Sequence, residues 1–243
     1  MELKRVILAT NNHPNYIQFW PVVAPLWRAM GLQPTLALIA DEGCSIDTSL
    51  GDVIRFAPIP GVAESLQAQT IRLLLPCLFP NDVCLIADID MLPISRFYFV
   101  DGAALCPEDA FLVYRNSSQD WGAPRYPMCY IAAKGEVFAS VFDVHNSEEI
   151  TNTIIEWEKW GYGWNTDELL LYHFLKQWEG KGGHVVSLEH EVQRRIDRAS
   201  WPSRIDQFNI SHYIDCHCPR PYLENRELID QIAKGAFEQL SKT

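Results

Sequence analysis

The sequence predicts an α/β protein built on one doubly wound, mostly parallel sheet with helices on both faces. Three observations carry this. Short apolar runs at 5–10 (RVILAT), 35–40 (TLALIA) and 83–87 (VCLIA) alternate with helical stretches at the spacing of β-α-β units. The third run is apolar at every position, as in strands covered on both faces. It leads directly into Asp88-Ile89-Asp90, at the strand end where open α/β sheets place their ligands.

The elements follow in order. After the first strand, Asn11-Asn12-His13-Pro14 turns the chain. Apolar residues then recur helically at Tyr16, Phe19, Trp20, Val23, Trp27 and Met30, with Pro21 and Pro25 expected to kink or shorten the helix and Gly31 to end it. The second strand stops at Asp41 and Gly43, and 53–56 reads as a third. A helix over 62–78 is stopped by Pro80, ahead of the strand at 83–87. Beyond residue 100 the pattern predicts strands at 111–114, 128–132 and 185–188. Helices are predicted over 148–160, with Trp157 and Trp160 on the apolar side, over 167–178, and over a closing stretch 223–240.

With 243 residues, 48% hydrophobic and 12% aromatic, there is ample material for one buried core, and a single domain over 1–243 is expected. The net charge of −11 argues against a nucleic-acid binder, which needs clustered Lys and Arg. The apolar run near the N-terminus is too short for a signal segment, and no stretch reaches membrane-spanning length. Seven cysteines without a scaffold spacing point to a reducing, cytoplasmic setting. No P-loop and no G-x-G-x-x-G occurs, which disfavours ATPases and dehydrogenases.

In an extended chain residues two apart share a face, so Asp88 and Asp90 are expected to point together with Ile89 anchored opposite. Two close carboxylates repel unless a cation relieves them, and hard oxygen donors suit Mg²⁺ or Mn²⁺. Asp is also common where strands end, so the bare pair admits a turn reading. Fused to a buried strand and followed by Met-Leu-Pro, it favours function.

The stretch QTIRLLLPCLFPNDVCLIADIDMLPIS resembles the DxD region of GT-A glycosyltransferases, where an R-L-L-x-P helix precedes the motif strand. The opening strand, Asn-Asn turn and aromatic helix are similar to theirs too. The resemblance implies a GT-A (Rossmann-like) fold with a smaller antiparallel acceptor-side part. Residues 1–100 would form the nucleotide-binding half, 101–222 the acceptor half and 223–243 the closing helix. It implies a metal-dependent transferase that moves a sugar from a nucleoside diphosphate donor, UDP-sugar by the family's habit, to a hydroxyl of a glycan or glycoconjugate. Asp90 would bind Mn²⁺ (or Mg²⁺), and Asp88 the metal or the donor ribose. Arg72, on a polar stripe with Ser65 and Gln69, would reach the donor. Thr10, Asn11 and Asp41, at the ends of the first two strands, would form the base pocket.

On the acceptor side, GYGWNTDELLL opens a helix. Asn165 and Glu168 make a capping-box-like pair, and Asp167 suits the positive helix end. In GT-A enzymes an acidic or amide residue on this turn lies beside the donor sugar and acceptor. Asp167 is the first candidate for general base or positioning group, with Glu168 beside it. Trp121, Tyr126 and Trp164 are candidates for stacking on acceptor sugars. The segment ISHYIDCHCPRPY is similar to the H-Y/F-x-G…K-P-W tail of glycogenin-like retaining enzymes, which implies His212 as third metal ligand and Arg220 on the diphosphate. The His-to-cation gap is longer here, and His217 stands as the alternative ligand.

A zinc site from His212, Cys216, His217 and Cys218 lacks a separated partner pair upstream. Arg194, Arg195, Arg198 and Arg204 read equally as a solvated helix face, paired with Glu191 and Asp197, or as a phosphate or acceptor contact. Two other functions stay open. A sugar-1-phosphate nucleotidyltransferase would share the α/β logic, but the turn after the first strand lacks glycine. A non-catalytic nucleotide-sugar or glycan-binding module would share the pocket.

Overall fold

The computed structural model describes residues 1–116, 124–189, 194–201 and 209–241. In chain order the elements are β1 (Leu3–Asn11), α1 (Pro14–Ile17), α2 (Trp20–Ala29), β2 (Gln33–Ile39), β3 (Asp52–Phe56), α3 (Glu64–Leu74), β4 (Val83–Ala87), β5 (Met91–Pro93) and α4 (Gly102–Ala104). There follow β6 (Ala110–Asn116), β7 (Tyr130–Lys134), α5 (Gly135–Phe142), α6 (Ser147–Glu158), α7 (Thr166–Glu179), β8 (His184–Glu189), β9 (Arg195–Ile196), β10 (Asp215–His217) and α8 (Tyr222–Leu240).

Seven strands form one sheet in the order β3-β2-β1-β4-β7-β6-β8. Neighbours are parallel except at β7, which runs antiparallel to both β4 and β6. Side-chain alternation sends Val6, Leu8, Leu36, Leu38 and Leu85 to one face and Ile7, Ala37, Ile39, Cys84 and Ile86 to the other. Helices α2 and α8 cover the first face, and α3, α5, α6 and α7 the second. Every residue of β4 is buried, which explains its uninterrupted apolar sequence.

The first core is organised around Phe99. Its ring lies 5.1 Å from Trp27, 4.6 Å from Tyr130 and 5.8 Å from Tyr114, all fully buried. Of the two phenols that this nest buries, Tyr114 Oη donates to the Phe99 carbonyl at 2.7 Å, whereas the Tyr130 hydroxyl has no hydrogen-bond partner among the described residues.

Several expectations are adjusted. The aromatic helix is split into α1 and α2, because Pro21 occupies the first turn of α2, where a missing N–H costs nothing; Pro25 sits inside it. Gly31, at φ +88°, follows the helix end. The helix over 62–78 stops at Leu74 and tightens into a 3₁₀ turn at Leu75–Leu78 containing Pro76. Helix α5 was not anticipated: with six of its eight residues buried, it lacks the polar face that an amphipathic reading requires. Trp157 is buried, but Trp160 lies beyond the end of α6 and is 41% exposed. Among the described residues no helix is long and apolar enough to cross a membrane.

A second, three-stranded sheet, β5-β10-β9, was also unanticipated. Strand β10 pairs antiparallel with β5 (His217 opposite Met91, Cys216 opposite Leu92) and parallel with β9. The Cys218 N–H donates to the Asp90 carbonyl at 2.9 Å. The last quarter of the chain is thereby stitched to the residues that directly follow the Asp-Ile-Asp segment.

Candidate active site

A cavity of about 830 Å³ opens along one edge of the large sheet. Its lining follows from the strand directions. Thr10 and Asn11 stand at the carboxyl end of β1, Asp88 to Asp90 just beyond β4, and Arg115 at the end of β6. Because β7 is antiparallel, its entry, Pro127 to Cys129, comes to the same edge. Ser65, Gln69 and Arg72 contribute the polar stripe of α3. Trp164, Asn165, Asp167 and Glu168 close it from the start of α7, and Arg195, Arg198, His217 and Arg220 from the region of the small sheet.

Asp88 to Asp90 do not continue the strand as extended chain. They form a turn closed by Met91 N–H donating to the Asp88 carbonyl at 3.3 Å, with Ile89 buried. Both carboxylates nevertheless line the same cavity.

Arg72 is buried and forked between two acids. Nη1 pairs with Asp88 Oδ1, and Nη2 with Asp167 Oδ2 at 2.7 Å. Burial opposes its charge, but Asp88 and Asp167 together outweigh that and raise its pKa. Burial likewise opposes the charge on Asp88, but the Arg72 charge and hydrogen bond outweigh it and hold its carboxyl below the ordinary value. Asp167 remains above it, because burial outweighs an Arg72 charge that is shared with Asp88.

Asp90 is buried and faced by two guanidinium groups and a histidine ring: Arg198 Nη2 at 2.8 Å, Arg220 Nε at 3.6 Å and His217 Nε2 at 3.8 Å. Burial and the Asp88 charge still push its carboxyl up. The other ring nitrogen of His217, Nδ1, is 3.4 Å from Asp197 Oδ2. A carboxylate behind one imidazole nitrogen, with the other nitrogen aimed at a second acid, is how metal-ligating histidines are oriented. Two hard carboxylates and an imidazole also make a donor set that Mn²⁺ accepts. Asp88, Asp90 and His217 thus fit a divalent cation in chemistry. Among the described residues, however, no three such side chains already stand at coordinating separations, since arginines occupy the two aspartates.

Glu168 differs from its neighbour. Its Oε2 pairs with Arg125 Nε at 3.3 Å, and burial, followed by the Asp167 charge, pushes its pKa up to about 7. The capping box does not form. Asn165 makes no side-chain cap bond, and Asp167 Oδ1 instead accepts the Glu168 N–H at 2.9 Å.

The structure thus brings Thr10, Asn11, Arg72, Asp88, Asp90, Trp164, Asp167, Glu168, His217 and Arg220 to one cavity. Asp41 is exposed, and neither it nor His212 is among the lining residues. His212 is exposed on a short 3₁₀ turn beside Asn209. Tyr126 is buried with its ring 5.2 Å from Tyr172, a core packing position away from the lining. Trp121, Glu191 and Arg204 lie outside the described residues.

Arg195 and Arg198 of the arginine cluster do not lie on a solvated helix face. Arg195 lies in β9 and grips the fully buried Asp215 at 2.7 Å, while Arg198 pairs with Asp90. Sequence reasoning missed Arg115, Arg125 and Cys129. A charge terminating the apolar strand FLVYR was the one available signal for Arg115. Arg125 sits in a segment with no periodicity to place it, and Cys129, inside the strand predicted at 128–132, carried no polar signal to mark it as lining a site.

No family model matches the sequence, and no curated protein matches it. Solved structures do. The chain superposes on the glycosyltransferase GlyE of Streptococcus pneumoniae TIGR4 with a TM-score of 0.57 at 14% identity, covering 100% of this chain and 63% of that one. The apo form of GlyE gives 0.54 at 14% identity with the same coverage. A glycosyltransferase involved in glycosylation of the major capsid of PBCV-1 gives 0.48 at 12% identity, over 93% of this chain and 99% of that chain. The chain therefore has a GT-A-like glycosyltransferase fold, and it spans less than two thirds of the length of GlyE.

Proposed function

We propose that this chain is a metal-assisted glycosyltransferase, moving a sugar from a nucleoside diphosphate donor, a UDP-sugar, to a hydroxyl of a glycan or glycoconjugate. One observation carries the reading. Asp88 and Asp90 share a cavity with Arg72, Arg198 and Arg220, at the carboxyl ends of parallel strands in this fold. Such a mixture of acids and arginines suits a ligand that brings both a cation and a diphosphate. A volume of about 830 Å³ lies within the usual range for small-molecule sites.

Asp88, Asp90 and His217 would hold Mn²⁺ or Mg²⁺, and the ion, when bound, offsets negative charge on the departing diphosphate. The placement of His217 supports it over His212 as the third ligand. Arg198 and Arg220, both facing Asp90, bind diphosphate oxygens in the planar, two-pronged manner of a guanidinium. Thr10 and Asn11 border the base.

Arg72 keeps Asp88 and Asp167 in register, so Asp167 is a positioning residue and Glu168 takes the proton. The acceptor oxygen forms its bond to the anomeric carbon as the carbon–oxygen bond to phosphate breaks. The electron pair leaves on the diphosphate, and the acceptor's proton passes to the Glu168 carboxylate. A pKa of about 7 suits a group that must accept a proton near neutrality. Trp164, at the rim, receives the acceptor.

Incubation with a panel of UDP- and GDP-sugars and Mn²⁺, reading released nucleotide, tests this. Slow hydrolysis of at least one donor is expected, abolished by Asp90→Ala and by chelation. Release from none of them, or release indifferent to Asp90→Ala, would remove the reading.

A further inference from the structure

Trp160, Tyr162 and Trp164 are three of the seven large hydrophobic residues exposed among the described residues, and they fall within five consecutive positions, at 41%, 44% and 67% exposure. Exposed aromatic surface concentrated in this way marks a binding site more often than chance. The intervening Gly161 and Gly163 have φ values of +67° and +61°, and a Cβ at either position would meet nothing within 4 Å. These glycines therefore serve the backbone path and not a close approach, because side-chain-bearing residues rarely adopt that conformation.

The rings are supported from within. Trp160 stacks on Phe174, centroids 6.3 Å apart at 17°, and meets His173 edge-on at 5.6 Å. Tyr162 stands edge-on to Trp160 at 5.8 Å and 88°. Phe174 in turn packs on Phe142 and Trp157 of the second core. The Trp164 carbonyl accepts from Gln69 Nε2 at 3.4 Å, and Trp164 lines the cavity. The strip is therefore continuous with the active site: two residues after Trp164 the chain enters α7, which carries Asp167 and Glu168.

We propose that Trp160, Tyr162 and Trp164 form a stacking platform for an oligosaccharide acceptor, holding sugar units outside the cavity while the terminal hydroxyl reaches Glu168. This rests on the transferase reading for its direction, but not for its ligand chemistry. Sugar rings have apolar C–H faces and polar edges, which suits separate flat aromatics set among Gln69, His173 and backbone amides. A protein partner would need a continuous surface of about 1,000 Å² or more, and three rings spaced by glycines do not supply one.

A glycan array of immobilised neutral and uronate-containing oligosaccharides, one to six units long, tests the platform without turnover. Wild-type protein should retain chains of three or more units better than the matching monosaccharides. Tyr162→Ala should lose roughly tenfold in affinity for those chains, about 1.4 kcal/mol, while Tyr162→Phe keeps it. Trp160→Ala, checked for an unchanged melting curve, should behave like Tyr162→Ala. Binding of UDP should be the same in all four proteins. The proposal is overturned if Tyr162→Ala retains the same chains as wild type, or if wild type retains none while binding UDP. It is equally overturned if wild type is a dimer that Tyr162→Ala dissociates. Absence of UDP and GDP binding would instead sink the transferase reading, with retention of glycans still deciding the platform.

Discussion

Glu168→Gln separates a working base from a merely buried acid, because it changes rate and stability in opposite directions. An ordinary glutamate ionises near 4.5 and Glu168 near 7, so folding takes up a proton between those values. The stability Glu168 contributes is fully present below 4.5 and is lost as pH rises through 7. Each tenfold in proton affinity corresponds to about 1.4 kcal/mol, which sets a ceiling of about 3 kcal/mol on that loss. The side chain is 22% exposed, and water screening reduces the figure to roughly 1–2 kcal/mol. The glutamine variant has no proton to lose. At 2–4 °C per kcal/mol for a domain of about this size, it should melt roughly 2–8 °C above wild type at pH 8 and coincide with it near pH 4.5. Its transfer rate at pH 8 should fall by roughly 10²–10⁴-fold, and the rise in wild-type rate through pH 7 should flatten. Melting scans at the two pH values, with initial rates across pH 5.5 to 8.5, check both. Parallel melting curves at both pH values, or an unchanged pH–rate profile, would refute the assignment.

Arg72→Gln leaves Asp88 and Asp167 facing each other without their shared cation; breaking a buried pair costs about 3–5 kcal/mol, and thermal melting at pH 7 should show it. Part of that loss should return at pH 5, where the unpaired carboxyls can take up protons. His217→Ala should weaken Mn²⁺ binding by tenfold or more in calorimetry, on the order of what a lost ligand costs, whereas His212→Ala leaves it unchanged. Phe99→Ala empties the centre of the aromatic nest and should lower stability by about 3–5 kcal/mol in denaturant unfolding, with m unchanged.

Much of the architecture was legible in the sequence because it rests on local periodicity. The strands at 5–10, 35–40 and 83–87 and the helices over 148–160, 167–178 and 223–240 all correspond to elements near those bounds. The apolar alternation that buries them is a property of neighbours in the chain. Asp88 and Asp90 were legible for the same reason, since a buried strand ending in two acids announces itself within eleven residues. The turn they form was not, because it depends on the β5–β10 pairing that begins at Met91.

The amino-acid order by itself determined the α/β class, the strand that delivers the acids, and Arg72 on a polar helical stripe. Only tertiary structure decided which acid of the Asp167-Glu168 pair is tied up, because Arg72 reaches across 95 positions to Asp167 and leaves Glu168 to Arg125. It likewise placed His217, and not His212, beside Asp90, and decided between the two open readings of Arg198 by setting it in the cavity lining against Asp90. The physical reason is common to all three. Local patterning says which face of an element is apolar, whereas the partner of a buried charge is set by whichever distant group satisfies it at the lowest desolvation cost.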